Sequence, residues 1–540
     1  MTVELDRSPL DQALTELKAG EQAWAHTDLA GRRELLSRVM RATAQHAQDW
    51  VRAACTYKRL SETSPLAGEE WLSGPYAVLT GAQALIETIS ALEQGRSPVD
   101  GYPVTQAPGG RLAVKVLPHT MYDRLLLRGF SAEVWTVPGM DETALKQNAG
   151  LALRHPDRTN GIGVVLGAGN ITSIPVLDVF YELYANNRVA ALKLNPITDV
   201  MQGPLENALK PLIDIGVLRI LTGAADAGGY LIHHPDVAHV HLTGSAATHD
   251  AIVAGPPRLD KPVTSELGGV SPVIVLPGDW SKADLRFQAE HVVSQRLHNN
   301  GYNCIATQVV VLSKDWPQKD AFLACLRDVL ATAPARPAYY PGSDARVAKA
   351  RDAYPDAKTI ADRVLVEHAD PGTPALTTEY FAPVLAILEL RGTELSGDGF
   401  LDAAVALANE QFAGTLGVNL IAHPRTLGPQ VDEAIAKLRY GTVAVNAWTG
   451  VGFLTAAATW GAFPGHTLAE VGSGIGVVHN SLLLDGSERT VVRGPFRPFP
   501  KPPWFVTNKT AASTGRALTA FAAHPTWTAL PPVFFSALRG

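Results

Sequence analysis

The chain has 540 residues, of which 46% are hydrophobic and 18% are charged, and its net charge is −6. This balance gives no reason to expect nucleic acid or an anionic membrane surface as a partner. Three cysteines are too few for a disulfide framework and favour a reducing compartment, and no apolar run is long enough to predict a membrane span. With no signal peptide at the acidic N-terminus, we expect a cytoplasmic α/β protein of several domains.

The first third of the chain predicts helices followed by extended segments. Residues 8–95 carry apolar side chains at helical spacing. Residues 98–110 form a connection rich in proline and glycine. Residues 111–136 alternate as strands do, which predicts extended arms.

The next stretch, residues 161–276, alternates apolar strands with helical segments. The strands are predicted at 161–166, 189–194, 217–221, 237–242 and 271–276, with helices near 175–186, 203–214 and 227–234. This alternation is typical of βαβ units and predicts a parallel sheet covered by helices.

A second α/β stretch follows and predicts a second domain. Its helices are predicted at 282–297, 318–332, 400–409 and 428–437, and its strands at 305–312, 384–390, 415–421 and 442–446. The proline-rich segment 493–505 is predicted to lack regular structure, and a short helix and an apolar tail end the chain.

Cys304 ends the polar run Asn300-Gly-Tyr-Asn-Cys304, between the predicted helix 282–297 and the predicted strand 305–312. A cysteine held where a helix gives way to a strand is placed for nucleophilic chemistry. The alternative is a buried apolar cysteine, which is the commonest state of this residue.

Asn170 and Lys193 each follow a predicted strand. The glycines before Asn170 do not complete a dinucleotide fingerprint, because position 172 is threonine. Asn170 either donates its amide to a developing oxyanion or caps the next helix. Lys193 either reaches an anionic ligand or directs its ammonium group to solvent.

Three glycine-bearing turns add further candidates. Gly244 and Ser245 open a helical segment that suits a phosphate, or they form an ordinary capped turn, and Gly228 offers a weaker case. Glu266 lies in an apolar, glycine-rich setting where partial burial would raise its pKa toward that of a general base, or it is a solvated loop residue.

Glu379 and Phe381 are two residues apart, so in an extended segment both side chains point to one face. They are either a clamp for a ribose and a flat ring or a surface glutamate beside a core phenylalanine.

The order of these motifs resembles the NAD(P)-dependent aldehyde dehydrogenase superfamily over about residues 10–480. The most specific match is Glu266-Leu-Gly-Gly-Val-Ser-Pro272 with the downstream Asn300–Cys304 run. The resemblance implies two doubly wound parallel-sheet domains and a small β oligomerisation arm. It implies the following division: residues 1–120 and 150–266 for the dinucleotide, 121–149 and 481–510 for the arm and tail, 267–445 for catalysis, 446–480 for a return to the cofactor domain, and 511–540 for a C-terminal tail.

The resemblance also implies roles. Cys304 would be the nucleophile, Glu266 the general base, and Asn170 the oxyanion donor beside the Cys304 N–H. The cofactor, NAD or NADP, would be bound by these residues: Lys193, Gly228, Gly244, Ser245, Glu379 and Phe381. An aldehyde substrate and a homodimer or homotetramer are implied, and no metal site is predicted.

Several positions depart from the family pattern. Gly169 replaces a tryptophan, which predicts extra space near the substrate, and together with the apolar tail it favours a bulky or hydrophobic aldehyde. Tyr302 replaces a glutamine. Pro196 replaces the usual acid, so NAD and NADP both stay open. Residues 481–495 are expected to form an intersubunit strand, and the proline-rich part either covers the substrate entrance or packs on its own subunit.

Three functions are compatible with this sequence. The first is oxidation of an aldehyde to a carboxylic acid by way of a thioester. The second is transfer of the acyl group to coenzyme A, against which Glu266 argues. The third is a non-catalytic binding protein on the same scaffold.

Overall fold

A computed structural model describes residues 5–395 and 399–540. Among these residues, none of the helices combines the length and the apolar character that crossing a membrane requires.

The strands, in chain order, are β1 (Val104–Ala107), β2 (Arg111–Leu117), β3 (Ser131–Thr136), β4 (Ile162–Leu166), β5 (Val189–Lys193), β6 (Leu218–Leu221), β7 (Val237–Gly244), β8 (Val263–Leu267), β9 (Ser271–Val275), β10 (Thr307–Ser313), β11 (Lys358–Ile360), β12 (Arg363–Ala369), β13 (Val384–Leu390), β14 (Gly417–Ile421), β15 (Thr442–Val445), β16 (Thr459–Gly461), β17 (Gly474–Ile475), β18 (Val477–Asn480) and β19 (Ser487–Arg493).

The α-helices, in chain order, are α1 (Ser8–Ala25), α2 (Leu29–Tyr57), α3 (Gly68–Trp71), α4 (Ala77–Glu93), α5 (Met121–Leu126), α6 (Glu142–Asn148), α7 (Ile174–Phe180), α8 (Gln202–Asp214), α9 (Ala225–His233), α10 (Ala246–Ala254), α11 (Lys282–Leu297), α12 (Lys319–Thr332), α13 (Ser343–Ala353), α14 (Pro374–Thr377), α15 (Phe400–Gln411), α16 (Pro429–Lys437), α17 (Thr449–Leu454), α18 (Ala511–Ala523) and α19 (Leu530–Ala537).

The first sheet has six strands in the order β17-β8-β7-β4-β5-β6. All neighbours are parallel except β17, which pairs antiparallel with β8. Strands β4 and β5 are buried and apolar apart from their last residues, the partly exposed Leu166 and the charged Lys193, as expected for a sheet covered by helices on both faces. The order reverses around β4, so a crevice opens at the carboxyl ends of β4 and its neighbours, where ligands bind in such folds.

The second sheet has eleven strands in the order β1-β2-β3-β19-β15-β14-β9-β10-β13-β12-β11. Its central strands are parallel, while β3 runs antiparallel to both β2 and β19. The fold class is therefore the predicted one, with two parallel-rich sheets and helices on their faces.

The extended arm differs from the prediction in two ways. Strands β1 and β2 fall inside residues 1–120, yet they pair with β3 and belong to the second sheet rather than to the dinucleotide sheet. Strand β19, expected to pair between subunits, lies between β3 and β15 of its own chain. Both of its edges are thereby hydrogen-bonded within the chain, and the arm extends the second sheet instead of forming a small sheet of its own.

The C-terminal segment packs on its own chain. Between β19 and α18 the described residues form no helix or strand, as the prolines predict. Trp504 and Phe505 stack against His291 of α11, and the Val506 N–H donates to Ser294 Oγ at 3.1 Å. Helix α18 then packs against α3. These contacts join the tail to the helix that leads into Cys304.

Candidate active site

A cavity of about 910 Å³ opens at the crevice between the two sheets. The nine residues predicted for catalysis and cofactor binding all lie in its wall: Asn170, Lys193, Gly228, Gly244, Ser245, Glu266, Cys304, Glu379 and Phe381. They come from seven separate stretches of the chain. The structure therefore brings every predicted site residue to one place, while their roles remain predictions.

The loop before Cys304 has an unusual backbone. Asn299, Asn300 and Gly301 take positive φ angles of 53°, 54° and 77° in succession. The buried Arg296 donates from Nη2 to the Gly301 carbonyl at 2.8 Å, and this hydrogen bond stabilises the turn. Backbone in this region costs free energy unless the surroundings fix it, and such strain gathers at functional sites.

We expect Gly301→Ala to destabilise the fold by about 1–3 kcal/mol. An added Cβ would lie 2.5 Å from Arg296 Nη2 and 2.8 Å from the Ala382 carbonyl oxygen, at a positive φ that alanine disfavours. Denaturant unfolding measures the effect. The matched control is Gly229→Ala, because a Cβ there meets nothing within 4 Å and alanine favours the helix. Equal stability of the two variants would contradict the prediction.

Cys304 follows this loop and is partly exposed to the cavity. Burial raises the pKa of its thiol well above the usual value, and the carboxylates of Glu266 and Glu379 raise it further. The backbone N–H groups of Cys304 and Ile305 act in the opposite direction. Such a raised pKa favours the thiol over the thiolate, so Cys304 needs a proton acceptor or a nearby positive charge to become a nucleophile.

Asn170 does not cap a helix, which was the alternative reading. It is buried, and its Nδ2 donates to the Tyr302 carbonyl at 2.9 Å, two residues before Cys304. An amide nitrogen carries two hydrogens, and Asn170 Nδ2 makes this one hydrogen bond among the described residues, so its second hydrogen is uncommitted. The Asn299 side chain donates to the Asn170 carbonyl at 3.1 Å and to the Tyr302 carbonyl at 3.0 Å, which locks both segments together.

Glu266 lies in strand β8 and is 2% exposed. The alternative interpretation, a solvated loop residue, is therefore wrong. Its Oε1 accepts a hydrogen bond from Trp460 Nε1. Its Oε2 has no hydrogen-bond partner among the described residues. Burial raises the pKa of this carboxyl, which brings it toward the range where a carboxylate is an effective general base.

The far half of the cavity has features suited to a charged ligand. Lys193 ends β5 and is 6% exposed, and burial lowers its pKa. Asp199 and Asp226 attract its ammonium group, but neither forms a hydrogen bond or an ion pair with it in the described chain. Ser245 caps α10 through the Thr248 N–H, and both residues also line the cavity, so phosphate binding at this helix start stays a prediction.

Glu379 lies at the other end of the cavity. It is packed against Gly268, where a Cβ would come within 2.2 Å of the carboxylate. Burial raises the pKa of Glu379 to about 8, although Arg296 acts against this. Its Oε1 has no hydrogen-bond partner in the described part of the chain, so it fits a hydroxyl donor from a ligand.

One expectation about pocket shape is wrong, and a second departure from the family pattern lies outside the pocket. A Cβ on Gly169 would meet Asn195 Cγ at 2.8 Å and Ile197 at 2.9 Å, so the small residue makes room for its own chain and leaves no extra space for a substrate. Tyr302 is fully buried, and its hydroxyl lies 2.6 Å from Ser343 Oγ. It stacks with Tyr340 behind the cavity wall and does not line the pocket. The departure at 169 therefore no longer favours a bulky aldehyde.

Several residues near the site were not predicted. They include the loop supports Arg296 and Asn299, the donor Trp460, and the cavity residues Tyr340 and Arg346. They also include Asp178 and His479, which come with Glu266 into a group whose ligand atoms lie within 4.8 Å of one another. For Asp178, the sequence does offer one signal, since an acidic residue inside an apolar helical segment indicates a buried polar contact.

Comparison with known proteins gives a consistent result. A model of the aldehyde dehydrogenase family matches residues 175–345. The chloroplastic betaine aldehyde dehydrogenase of Atriplex hortensis is 44% identical over 93 residues, which are 17% of this chain and 18% of that protein. The chain thus aligns with about a fifth of the length of this curated relative.

Solved structures resemble the chain over most of its length. One is the NADP-dependent glyceraldehyde-3-phosphate dehydrogenase of Bacillus halodurans C-125, complexed with NADP. It superposes with a TM-score of 0.61 at 17% sequence identity, and the match spans 90% of this chain and 91% of that structure. An NAD-dependent aldehyde dehydrogenase of Sinorhizobium meliloti has a TM-score of 0.63 at 17% identity, covering 92% and 89%. At this identity the likeness concerns the fold.

Proposed function

We propose that this chain, which belongs to the aldehyde dehydrogenase superfamily, oxidises an aldehyde to a carboxylic acid with NAD or NADP. The observation that carries the proposal is the shared cavity of Cys304, Asn170, Glu266 and Glu379. A thiol, an amide donor and a carboxyl group of raised pKa in one cavity are the groups that this chemistry needs.

The first step belongs to Cys304 and Asn170. The sulfur attacks the aldehyde carbon as the thiol proton leaves to solvent water. The oxygen becomes an oxyanion that the free Asn170 N–H and the Cys304 N–H stabilise. One such donor is typically worth about 10²–10³ in rate.

The second step belongs to Glu266. Once the thiohemiacetal has lost its hydride, a thioester links the acyl group to Cys304. Glu266 takes a proton from water while the water oxygen bonds to the acyl carbon. The carbon–sulfur bond then breaks, which releases the acid and restores the cysteine.

The residues of this chain fit a dinucleotide cofactor, and when bound it accepts the hydride. The unpaired ammonium group of Lys193 and the start of α10 at Ser245 suit hydroxyl and phosphate groups. Gly228 and Gly244 keep the wall open there, the orphan Oε1 of Glu379 suits a ribose hydroxyl, and Phe381 offers a ring face. Pro196 in the same wall carries no charge, so we propose no preference between NAD and NADP.

A panel of aliphatic and aromatic aldehydes tests this function. Each is mixed with the purified protein and with NAD or NADP, and the absorbance of the reduced nicotinamide is followed. We expect reduction that depends on an aldehyde and yields the matching carboxylate. Binding of cofactor without reduction for every aldehyde would favour the non-catalytic alternative.

Lys193→Met is expected to raise the KM for the cofactor by about 10- to 100-fold and to leave kcat nearly unchanged. A charged hydrogen bond to a ligand is worth about 1.5–3 kcal/mol, and contacts kept from ground state to transition state appear in KM. The control is Lys210→Met, at an exposed lysine of α8 that pairs with Asp214. A fall in kcat with KM unchanged would contradict a cofactor-binding role.

The three cysteines support a reducing compartment, and we propose a cytoplasmic location on that ground. The oligomeric proposal of a homodimer or homotetramer rests on the family resemblance alone.

A further inference from the structure

A row of polar side chains runs from Glu266 through the interior of the first sheet. We define this polar row by its members: Glu266, His479, Asp178, Thr243, His241, Thr264, His239 and Glu182. The parts that carry it are strands β7, β8 and β18, helix α7 and the π-helical turn Tyr181–Ala185. Apart from the two threonines and His479, each member is no more than 4% exposed.

The row follows from strand and helix periodicity. His239, His241 and Thr243 are two residues apart on β7, so they share one face, and β8 sets Thr264 opposite His241 and Glu266 opposite Thr243. Asp178 and Glu182 are four residues apart, so they face that surface together. Buried polar groups cost free energy unless they are paired, so a continuous row inside an apolar sheet requires an explanation.

Close contacts link Asp178 to Glu182, and all of them except the last, between His239 and Glu182, are hydrogen bonds. Thr243 Oγ1 lies 3.1 Å from Asp178 Oδ2 and 3.2 Å from His241 Nε2. On the other side of the ring, His241 Nδ1 lies 2.8 Å from Thr264 Oγ1. Thr264 Oγ1 lies 3.3 Å from His239 Nε2, whose Nδ1 lies 3.1 Å from Glu182 Oε1.

Both ends of the path have defined surroundings. At the inner end, Glu266 Oε2 and Asp178 Oδ1 have no hydrogen-bond partner among the described residues. His479 Nε2 is 3.5 Å from Asp178 Oδ1, and the ligand atoms of these three residues lie within 4.8 Å of one another. At the outer end, Glu182 contacts Arg188 at 3.2 Å, and the Arg188 side chain is 20% exposed.

We propose that the polar row conducts to solvent, beside Arg188, the proton that Glu266 takes from the hydrolytic water. This proposal rests on the proposed function, because it assigns the fate of the proton from thioester hydrolysis. The row members other than Glu266 act through it and do not touch the substrate.

The proton transfers balance as follows. Glu266 gives its proton to the Asp178–His479 pair and returns to the carboxylate. Asp178 passes a proton to the Thr243 oxygen, the Thr243 hydroxyl passes its own proton to His241 Nε2, and His241 Nδ1 releases one to Thr264. Thr264 passes it to His239 Nε2, and His239 Nδ1 releases one to Glu182, which loses it to water. Each hydroxyl and imidazole accepts one proton and releases one, and rotation of the hydroxyls and exchange of imidazole tautomers restore the row.

The charges determine where the proton rests along the row. Burial raises the pKa of Glu266, so transfer of its proton to Asp178, whose pKa is lowered, costs free energy that loss of the proton to water at the outer end must offset. Burial opposes the charge on His241, but the Asp178 carboxylate outweighs it and raises the pKa of the ring. Asp178 keeps a lowered pKa despite its burial, because His241 and His479 hold the charge. The interior therefore already holds paired charge along the path.

Thr264→Val tests the row, because it removes one hydroxyl between two imidazoles and keeps the side-chain shape. We expect a normal burst of reduced cofactor and a steady-state rate lower by about 10-fold or more. We also expect a larger solvent isotope effect on the steady state in D₂O. Thr264→Ser keeps a hydroxyl and should restore the wild-type rate, and His239→Gln, which hydrogen-bonds but cannot relay a proton, should reproduce the loss.

The control is Thr442→Val, at a fully buried threonine whose hydroxyl has no partner in the described chain. Wild-type turnover with equal rates and equal isotope effects in Thr264→Val would overturn the row and leave the proposed function intact. Absence of reduced cofactor from the wild type would overturn both. A stoichiometric divalent cation in the purified protein, lost in His479→Gln, would also overturn the row, because the cation would occupy its inner end.

Discussion

Cys304→Ala is expected to abolish aldehyde-dependent reduction of the cofactor, with a loss on the order of 10⁴-fold or more. Alanine keeps the backbone of the loop but removes the sulfur that forms the covalent bond, and no other cysteine lies in the cavity wall. The cofactor should still bind, because Lys193, Ser245 and Glu379 are unchanged. Stopped-flow absorbance measures the reduction, and calorimetric titration with NAD and NADP measures binding.

Cys325→Ala is the matched control, since Cys325 is a partly exposed cysteine on α12 away from the cavity. It should keep the wild-type rate. Turnover retained by Cys304→Ala at more than about a tenth of the wild-type rate would exclude Cys304 as the nucleophile, since loss of a covalent nucleophile costs far more.

The pH dependence of Cys304 alkylation adds an internal check on this assignment. Burial and the carboxylates of Glu266 and Glu379 raise the pKa of the Cys304 thiol. A small alkylating reagent should therefore react slowly at neutral pH and faster as the pH rises. A neutralised Glu266 removes one of the two charges, so the Glu266→Gln variant should be alkylated faster than the wild type at the same pH.

The spacing of apolar residues predicted helices and strands well where that spacing continues without interruption. Helix α11 begins and ends at the predicted residues 282 and 297, because a capping box at Ser281 and Asp284 fixes its start. Strand β13 spans the predicted residues 384–390. Its first five residues form a continuous apolar run and are all buried. Such elements are determined by residues close together in sequence.

Pairing between distant segments was not predictable in this way. Residues 333–383 gave no assignment, yet they contain α13, β11 and β12. Strand β11 is three residues long and pairs only with β12, so it has no periodicity to detect. The placement of β19 between β3 and β15 likewise depends on partners that lie more than 40 residues away along the chain.

The candidate site shows the same contrast between features set by local sequence and features set by distant contacts. Motifs with a fixed order identified the residues that line the cavity, because each follows a strand whose carboxyl end reaches the crevice. What surrounds these residues was missed or wrong. Gly169 looked like space but is filled by Asn195, and the polar row on β7 looked like an ordinary apolar strand. Neighbours of a site come from tertiary packing, which a single sequence does not display.

Glu266→Gln separates the two halves of the proposed reaction. Glutamine keeps the size of the side chain and can still accept the hydrogen bond from Trp460, but it cannot take a proton from water. We expect the burst of reduced cofactor to persist, because hydride loss precedes hydrolysis. The steady state should slow by about 10²–10⁴-fold, which is the usual contribution of a general base.

The pH profile gives the sign of the effect. The base must be ionised to act, and burial raises the pKa of Glu266, so the wild-type steady state should increase with pH through that raised pKa. The increase should vanish in Glu266→Gln. In Trp460→Phe it should move to higher pH, because the lost hydrogen bond had favoured the carboxylate.

Two outcomes would contradict this assignment. Loss of the burst itself would place Glu266 before hydride transfer, as the base for the Cys304 thiol alone. A wild-type enzyme that forms the coenzyme A thioester faster than the free acid would favour the acylating alternative, in which water is not the acceptor and Glu266 has no hydrolytic work. A slow steady state that follows a full burst fits only a protein in which Glu266 acts on the thioester that Cys304 carries.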